Sequence, residues 1–228
     1  MRSEILTQKD LFSQKLLKIK SELNHCRLMI VSKTRSIQEI KTYYELGQRD
    51  FGENRVQDLW EKAHALQLDC PEIRWHMIGH IQSNKIALLF DVPHLYAVHS
   101  VHNRSLVEKL IKLEDKLNHD VLIFLQFNTS HEEEKSGFET YTELVTSAEL
   151  LLKCQRLKLS GLMTMGTIRT ENFEAEAGRC FQDLVVEKEK LENELGIHLE
   201  ASMGMSQDYK IAIREKSDWV RLGTVMFV

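Results

Sequence analysis

The stretch LMIVSKTRS, residues 28–36, decides between two architectures. Its first half is a run of apolar and β-branched residues of the length of a buried strand, and polar residues take over at Lys33. A doubly wound open sheet usually has a glycine-rich turn after its first strand, which lets the backbone approach a phosphate. SKTRS contains no glycine, so the turn argues against that fold.

Outward from this stretch, the same punctuation repeats. Short apolar runs fall at 27–32, 73–78 (IRWHMI), 94–98, 121–127, 157–162, 197–202 and 218–222, with a weaker one, RDF, at 49–51. Between them lie segments of helical spacing. In ENRVQDLWEKAHAL, Val56, Leu59, Trp60, Ala63 and Leu66 share one stripe, and similar patterns fit 37–46, 82–89, 102–117, 140–152, 173–195 and 207–215. That makes eight strand candidates separated by helix candidates, after an N-terminal helix. Only Pro71 and Pro93 occur, and no Gly/Ser-rich linker divides the chain. The pattern predicts an α/β protein: a single (β/α)8 TIM barrel with an extra N-terminal helix, one domain over 1–228.

Composition narrows the function. With 43% apolar and 28% charged residues and a net charge of −4, nothing draws the chain to nucleic acid or an anionic membrane. Apolar runs such as VLIFL are far short of the ~20 residues that span a bilayer. The N-terminal MRSEILTQKDLFSQKLLKIKSEL mixes both charge signs, which suits an amphipathic helix rather than a signal peptide. Cys26, Cys70, Cys154 and Cys180 lie far apart without metal-ligand spacing, as expected of free thiols in a reducing compartment. The chain is expected to be cytoplasmic.

In a barrel, chemistry gathers at the C-terminal strand ends. The first strand delivers Lys33, the second Asn54, the third His76, Gly79 and, just after, Lys85. Loop five is TSHEEEKSGF, the sixth strand end GLMTMG, the seventh SMGMSQD and the eighth VRLGT. SMGMS sets Gly204, Met205 and Ser206 where a strand turns into a helix. Backbone N–H groups and a hydroxyl there suit a phosphate, and equally an ordinary serine cap with a tight turn. Asp208 in the same turn weighs against an anion. Gly223 and Thr224 supply similar groups on the next loop. Lys33 reads either as a lysine reaching solvent past its own stem or as an amine nucleophile. Arg221 neighbours the first strand when a barrel closes. An amine for a carbonyl, two loops for a phosphate and an arginine for a ring nitrogen are the groups that pyridoxal 5′-phosphate (PLP) requires.

The motifs VSKTRS, GQRDFGENRVQ, RWHMIGHIQSNK, KSGF, GLMTMG, SMGMSQDYKIAI and VRLGTVMF, in this order, resemble the PLP homeostasis (PLP-binding) protein family, a stand-alone barrel of the alanine racemase N-terminal type. The resemblance runs from about residue 5 onward. It implies a monomeric or loosely associated barrel carrying PLP as a Schiff base on Lys33. The phosphate would lie against Met205–Ser206 and Gly223–Thr224, Arg221 would face the pyridine nitrogen, and Asn54 and His76 would line the ring. His80 is assigned no role, and Lys85 is read as a helix-surface lysine. Ser36 stands where the family often has proline.

The rival reading is a PLP-dependent amino-acid racemase of the alanine-racemase type. Two features weigh against it. A guanidinium at the ring nitrogen is no proton source, which leaves the ring a poorer electron sink. Racemisation also needs an acid/base on each face of the substrate. Of the five tyrosines only Tyr209 falls near a strand-end loop, where packing on the barrel rim is expected. The resemblance, with these two features beside it, implies a PLP carrier that buffers the cofactor and passes it transiently to PLP-dependent apoenzymes.

Overall fold

Strands and helices alternate along the chain as the apolar runs require. The structure, a computed structural model, describes residues 7–130, 136–166 and 171–227. Part of the N-terminal motif and residues 131–135 of loop five lie outside them. The strands are β1 (Arg27–Val31), β2 (Asp50–Glu53), β3 (Arg74–Met77), β4 (Leu95–Val101), β5 (Val121–Gln126), β6 (Leu157–Met163), β7 (Glu200–Ser202) and β8 (Trp219–Leu222). They form a closed barrel in chain order, all parallel, with β8 returning to β1 so that Met29 lies opposite Arg221. The predicted fold class is the observed one.

Strand alternation splits the side chains into two layers. Leu28, Ile30, Phe51, Trp75, Met77, Val220 and Leu222 join the core shared with the surrounding helices. Met29, Ala97, Phe124, Met163 and Trp219, drawn only from strands, form a second apolar cluster inside the barrel. That plug leaves the C-terminal mouth as the place where a cavity can open.

The helices are α1 (Gln8–Glu22), α2 (Ile37–Glu45), α3 (Val56–Leu66), α4 (Ile86–Phe90), α5 (Arg104–Ile111), α6 (Tyr141–Leu151), α7 (Phe173–Leu195), α8 (Tyr209–Arg214) and α9 (Thr224–Phe227). The extra α1 is fastened by Phe12, which stacks on Tyr43 at 4.5 Å and meets Phe227 edge-on at 5.6 Å. Ser36 starts α2 with a capping box to Glu39, so the loop after Lys33 ends in a firm helix start without proline.

Three predicted helices differ in detail. Segment 82–89 begins as a 3₁₀ turn at Ser83–Lys85 before α4. Segment 102–117 starts later, because Asn103 accepts the Leu106 N–H at 2.8 Å as a cap, and ends in a second 3₁₀ turn. Segment 207–215 starts at Tyr209, after Asp208. The four-residue α9 is too short to show a period in sequence. Among the described residues no helix is long and apolar enough to cross a membrane.

Candidate functional site

A cavity of about 470 Å³ opens at the C-terminal ends of the strands. Lys33, Asn54, Met205, Ser206, Arg221, Gly223 and Thr224 all line it. Strand-end loops from four strands, far apart in sequence, thus converge on one space.

β1 ends in a clamp. Ser32 Oγ donates to Glu53 Oε1 at 2.7 Å, and Lys62 Nζ donates to the Ser32 carbonyl at 2.8 Å and to Glu53 Oε1 at 2.6 Å. Lys33 leaves this fixed point as the first residue of a turn whose second, Thr34, has a φ of 64°. Its side chain is exposed on the cavity wall, so the structure does not place the amine in the buried interior. An exposed amine is open to a carbonyl compound entering the mouth.

Arg221 is the opposite case. It is 4% exposed yet lines the cavity. Nη1 donates to the Ser202 carbonyl at 2.7 Å and to Ser202 Oγ at 3.0 Å, and Nη2 donates to the Thr164 carbonyl at 2.8 Å. Burial pulls its pKa down to about 10, with Asp208 opposing, so the group stays cationic at neutral pH. A guanidinium has five N–H donors. Those left over after these bonds suit an acceptor atom in the cavity.

The two loops meet at Ser206. Its Oγ accepts the Gly223 N–H at 3.2 Å and the Val225 N–H at 3.5 Å, so backbone donors already gather around an oxygen. Gly204 makes the turn possible with a φ of +94°, and a Cβ there would come within 2.5 Å of Ala212 Cβ. The objection raised by Asp208 takes a specific form: the carboxylate, 2% exposed, accepts the Met205 N–H. Burial raises its pKa, against the Met205 amide and Arg221. Met205 and Gly223 therefore both line the cavity with their N–H groups engaged, Gly223's by Ser206 Oγ, and the donors closest to hand are the Ser206 and Thr224 hydroxyls.

Asn54 is exposed on the wall just before α3. Gly79 packs against it so closely that a Cβ would lie 2.1 Å from the Asn54 carbonyl oxygen.

His76 is a correction. It does not line the cavity but lies inside the barrel, 0% exposed, with Nε2 3.0 Å from Asp50 Oδ1 and Nδ1 3.0 Å from His99 Nε2. It points inward as alternation demands, opposite Gly52, below the strand ends that form the mouth.

The sequence reading left out His80 and His102, which both line the cavity with ring centroids 4.8 Å apart. Burial lowers the pKa of His102. It also left out Met163, Met165 and Phe173 on the apolar side. The two methionines belong to GLMTMG, at the end of a strand whose inner face the alternation could have indicated. Lys85 lies in its 3₁₀ turn and is absent from the lining. None of the five tyrosines lines the cavity, and Tyr209 donates its hydroxyl to Glu22 Oε2 at 2.6 Å instead.

Comparison with known proteins identifies the family. Residues 8–228 match the family model described as alanine racemase, N-terminal domain. The chain is 35% identical over 206 residues to the pyridoxal phosphate homeostasis protein of Schizosaccharomyces pombe, covering 88% of this chain and 82% of that one. It is 36% identical over 216 residues to the human protein of the same name, covering 88% and 75%. Among solved structures, PipY of Synechococcus elongatus PCC7942 with PLP bound superposes with a TM-score of 0.83 at 30% identity, covering 95% of this chain and all of that one. An alanine racemase of Clostridium difficile shares the fold at a TM-score of 0.72 and 15% identity, covering 95% of this chain and 56% of the other. The chain belongs to the alanine racemase N-terminal domain family, among its pyridoxal phosphate homeostasis proteins.

Proposed function

We propose that this protein binds PLP in the barrel-mouth cavity, held through the Lys33 amine, and serves intracellular PLP homeostasis by buffering and handing over the cofactor. One observation carries the reading: an exposed amine, a buried guanidinium and a pair of loops with gathered backbone donors line a single cavity. The donor set fits the group. Ser206, Gly223 and Thr224 would take the phosphate, Arg221 the ring nitrogen, Asn54 and Met205 the flanks, and Met163 and Met165 the apolar ring edge. When bound, PLP supplies an aldehyde with which an amine condenses.

The chain's own residues favour holding over turnover. Arg221 would donate to the ring nitrogen without protonating it, because with a pKa of about 10 in this site it keeps its charge at neutral pH. No tyrosine lines the cavity, and the imidazoles that join Lys33 there are those of His80 and His102, whose service as a second acid/base would show as exchange of the substrate Cα hydrogen. The names of the relatives and the PLP-bound PipY support the same assignment. Four free cysteines support a reducing, cytoplasmic setting, and in this reading the protein acts as a monomer that meets PLP-dependent apoenzymes transiently. Absorbance titration with PLP should give a saturable visible band, while alanine or serine incubated in deuterium oxide keeps its Cα hydrogen. Cα exchange at enzyme-like turnover, abolished in Lys33→Ala, would overturn the carrier assignment.

A further inference from the structure

A polar chain crosses the interior of the barrel. Arg74 grips the Asp50 carboxylate with Nε at 2.7 Å and Nη2 at 2.6 Å. Asp50 Oδ1 meets His76 Nε2 at 3.0 Å, His76 Nδ1 meets His99 Nε2 at 3.0 Å, and His99 Nδ1 meets Ser202 Oγ at 3.0 Å. Ser202 Oγ then meets Arg221 Nη1 at 3.0 Å. His76, His99 and Ser202 are each 0% exposed. None of these three lines the cavity, and only Ser202 touches a residue that does, Arg221.

The two ends dictate the proton positions. An ionised carboxylate only accepts and a guanidinium only donates. With both imidazoles neutral, as burial requires, each link has one solution. His76 carries its proton on Nε2 and gives it to Asp50. His99 carries its proton on Nε2 and gives it to His76 Nδ1. The Ser202 hydroxyl donates to His99 Nδ1, which leaves its lone pairs for Arg221. Every donor in the chain points towards Asp50, and bonds aligned in one sense polarise and strengthen one another. Stacking of His99 on Phe124, with ring centroids 4.1 Å apart, fixes the imidazole plane.

We propose that His99 and Ser202, anchored through His76 on Asp50, are positioning residues for Arg221: they fix the Nη1 end of its guanidinium, while the Thr164 carbonyl takes Nη2, and so direct its remaining N–H groups at the ligand's ring nitrogen. The inference rests on the PLP reading of the cavity. It makes the cofactor's hold depend on groups deep in the barrel that it never touches.

The test is a double-mutant cycle read by PLP titration, with nitrogen NMR of the histidines in the PLP-free protein. Ser202→Ala should weaken PLP by about tenfold in the native background, the scale of one lost hydrogen bond to a charged group. It should leave the already weakened affinity of Arg221→Met unchanged. His99→Phe, which keeps the stack on Phe124, should match Ser202→Ala. Equal losses in both Arg221 backgrounds would mean a general structural effect and overturn the proposal. The spectra should show neutral Nε2–H tautomers for His76 and His99 at neutral pH. An Nδ1–H tautomer or an imidazolium at either would overturn it without any substitution. Borohydride trapping on Lys33 in the unsubstituted protein separates the two levels: no trapped PLP sinks the cofactor reading, whereas the tautomers still decide the chain.

Discussion

Replacing Gly204 with alanine perturbs the phosphate-side loop at one atom, and Gly47 provides its control. Both glycines have strongly positive φ, +94° at Gly204 and +90° at Gly47. A Cβ in left-handed backbone costs about 1–2 kcal/mol. Losing glycine's freedom in the unfolded chain returns about 0.4–1 kcal/mol. Gly47→Ala meets nothing within 4 Å and should lose about 1 kcal/mol or less. At Gly204 the new atom would lie 2.5 Å from Ala212 Cβ, 3.1 Å from Tyr209 Cα and 3.3 Å from Val220 Cγ1. Two of those atoms belong to α8 and cannot swing aside, so overpacking adds about 1–3 kcal/mol. Urea unfolding should place Gly204→Ala about 2–4 kcal/mol below the unsubstituted protein, a large share of a typical domain's stability. PLP titration should weaken only in Gly204→Ala, because α8 and the Met205–Ser206 turn would be pushed. Equal unfolding midpoints for the two variants would refute the packing argument, and intact PLP binding in a destabilised Gly204→Ala would detach this loop from the site.

Burial pushes the pKa of both His76 and His99 below the ordinary imidazole value, so the unfolded chain binds more protons than the folded one in acid. Their contribution to stability is complete above about pH 6.5 and is lost as pH falls through the depressed values. Burial opposes ionisation of Asp50, but hydrogen bonds from His76 and Arg74 outweigh it, and this second contribution disappears only below about pH 4. The urea midpoint should therefore drop between pH 7.5 and 5, and a flat profile would count against buried neutral histidines. Lys62→Met should cost about 3–5 kcal/mol in urea, because it strands the fully buried Glu53 carboxylate and loosens the clamp before Lys33. Asp208→Asn keeps an acceptor for the Met205 N–H but removes a negative charge beside the two loops. Inorganic phosphate, measured by calorimetry, should bind roughly severalfold tighter, and unchanged affinity would move the phosphate site elsewhere.

Much of this architecture was readable because strands buried on both faces show as apolar runs, and seven of the eight did so plainly. β2 is the instructive exception. Its inward positions are Asp50 and Gly52, so RDF at 49–51 carries little apolar signal, yet it pairs with β3 along its whole length and with β1 at Phe51 and Gly52. Lys33, Arg221, Ser206 and Gly223 were legible because each lies at or just beyond the C-terminal end of a strand, where a barrel gathers its chemistry. His76 was misplaced for a related reason. Alternation tells which way a side chain points but not how deep it lies along the barrel axis, and that depth follows from register with Gly52 and Ala97. His80 and His102 are separated by a whole helix and strand, and only the folding of loops three and four brings their rings together. The buried chain from Asp50 to Arg221 draws on five strands and has no local signature at all.

The central claim is that Lys33 is the point of attachment for PLP, and borohydride reduction of the PLP-incubated protein followed by peptide mapping tests it most directly. The predicted result is a pyridoxyl adduct on the peptide carrying Lys33 and none on the peptide carrying Lys85. No adduct after incubation with PLP, or an adduct on Lys85 alone, would contradict the assignment of the cavity.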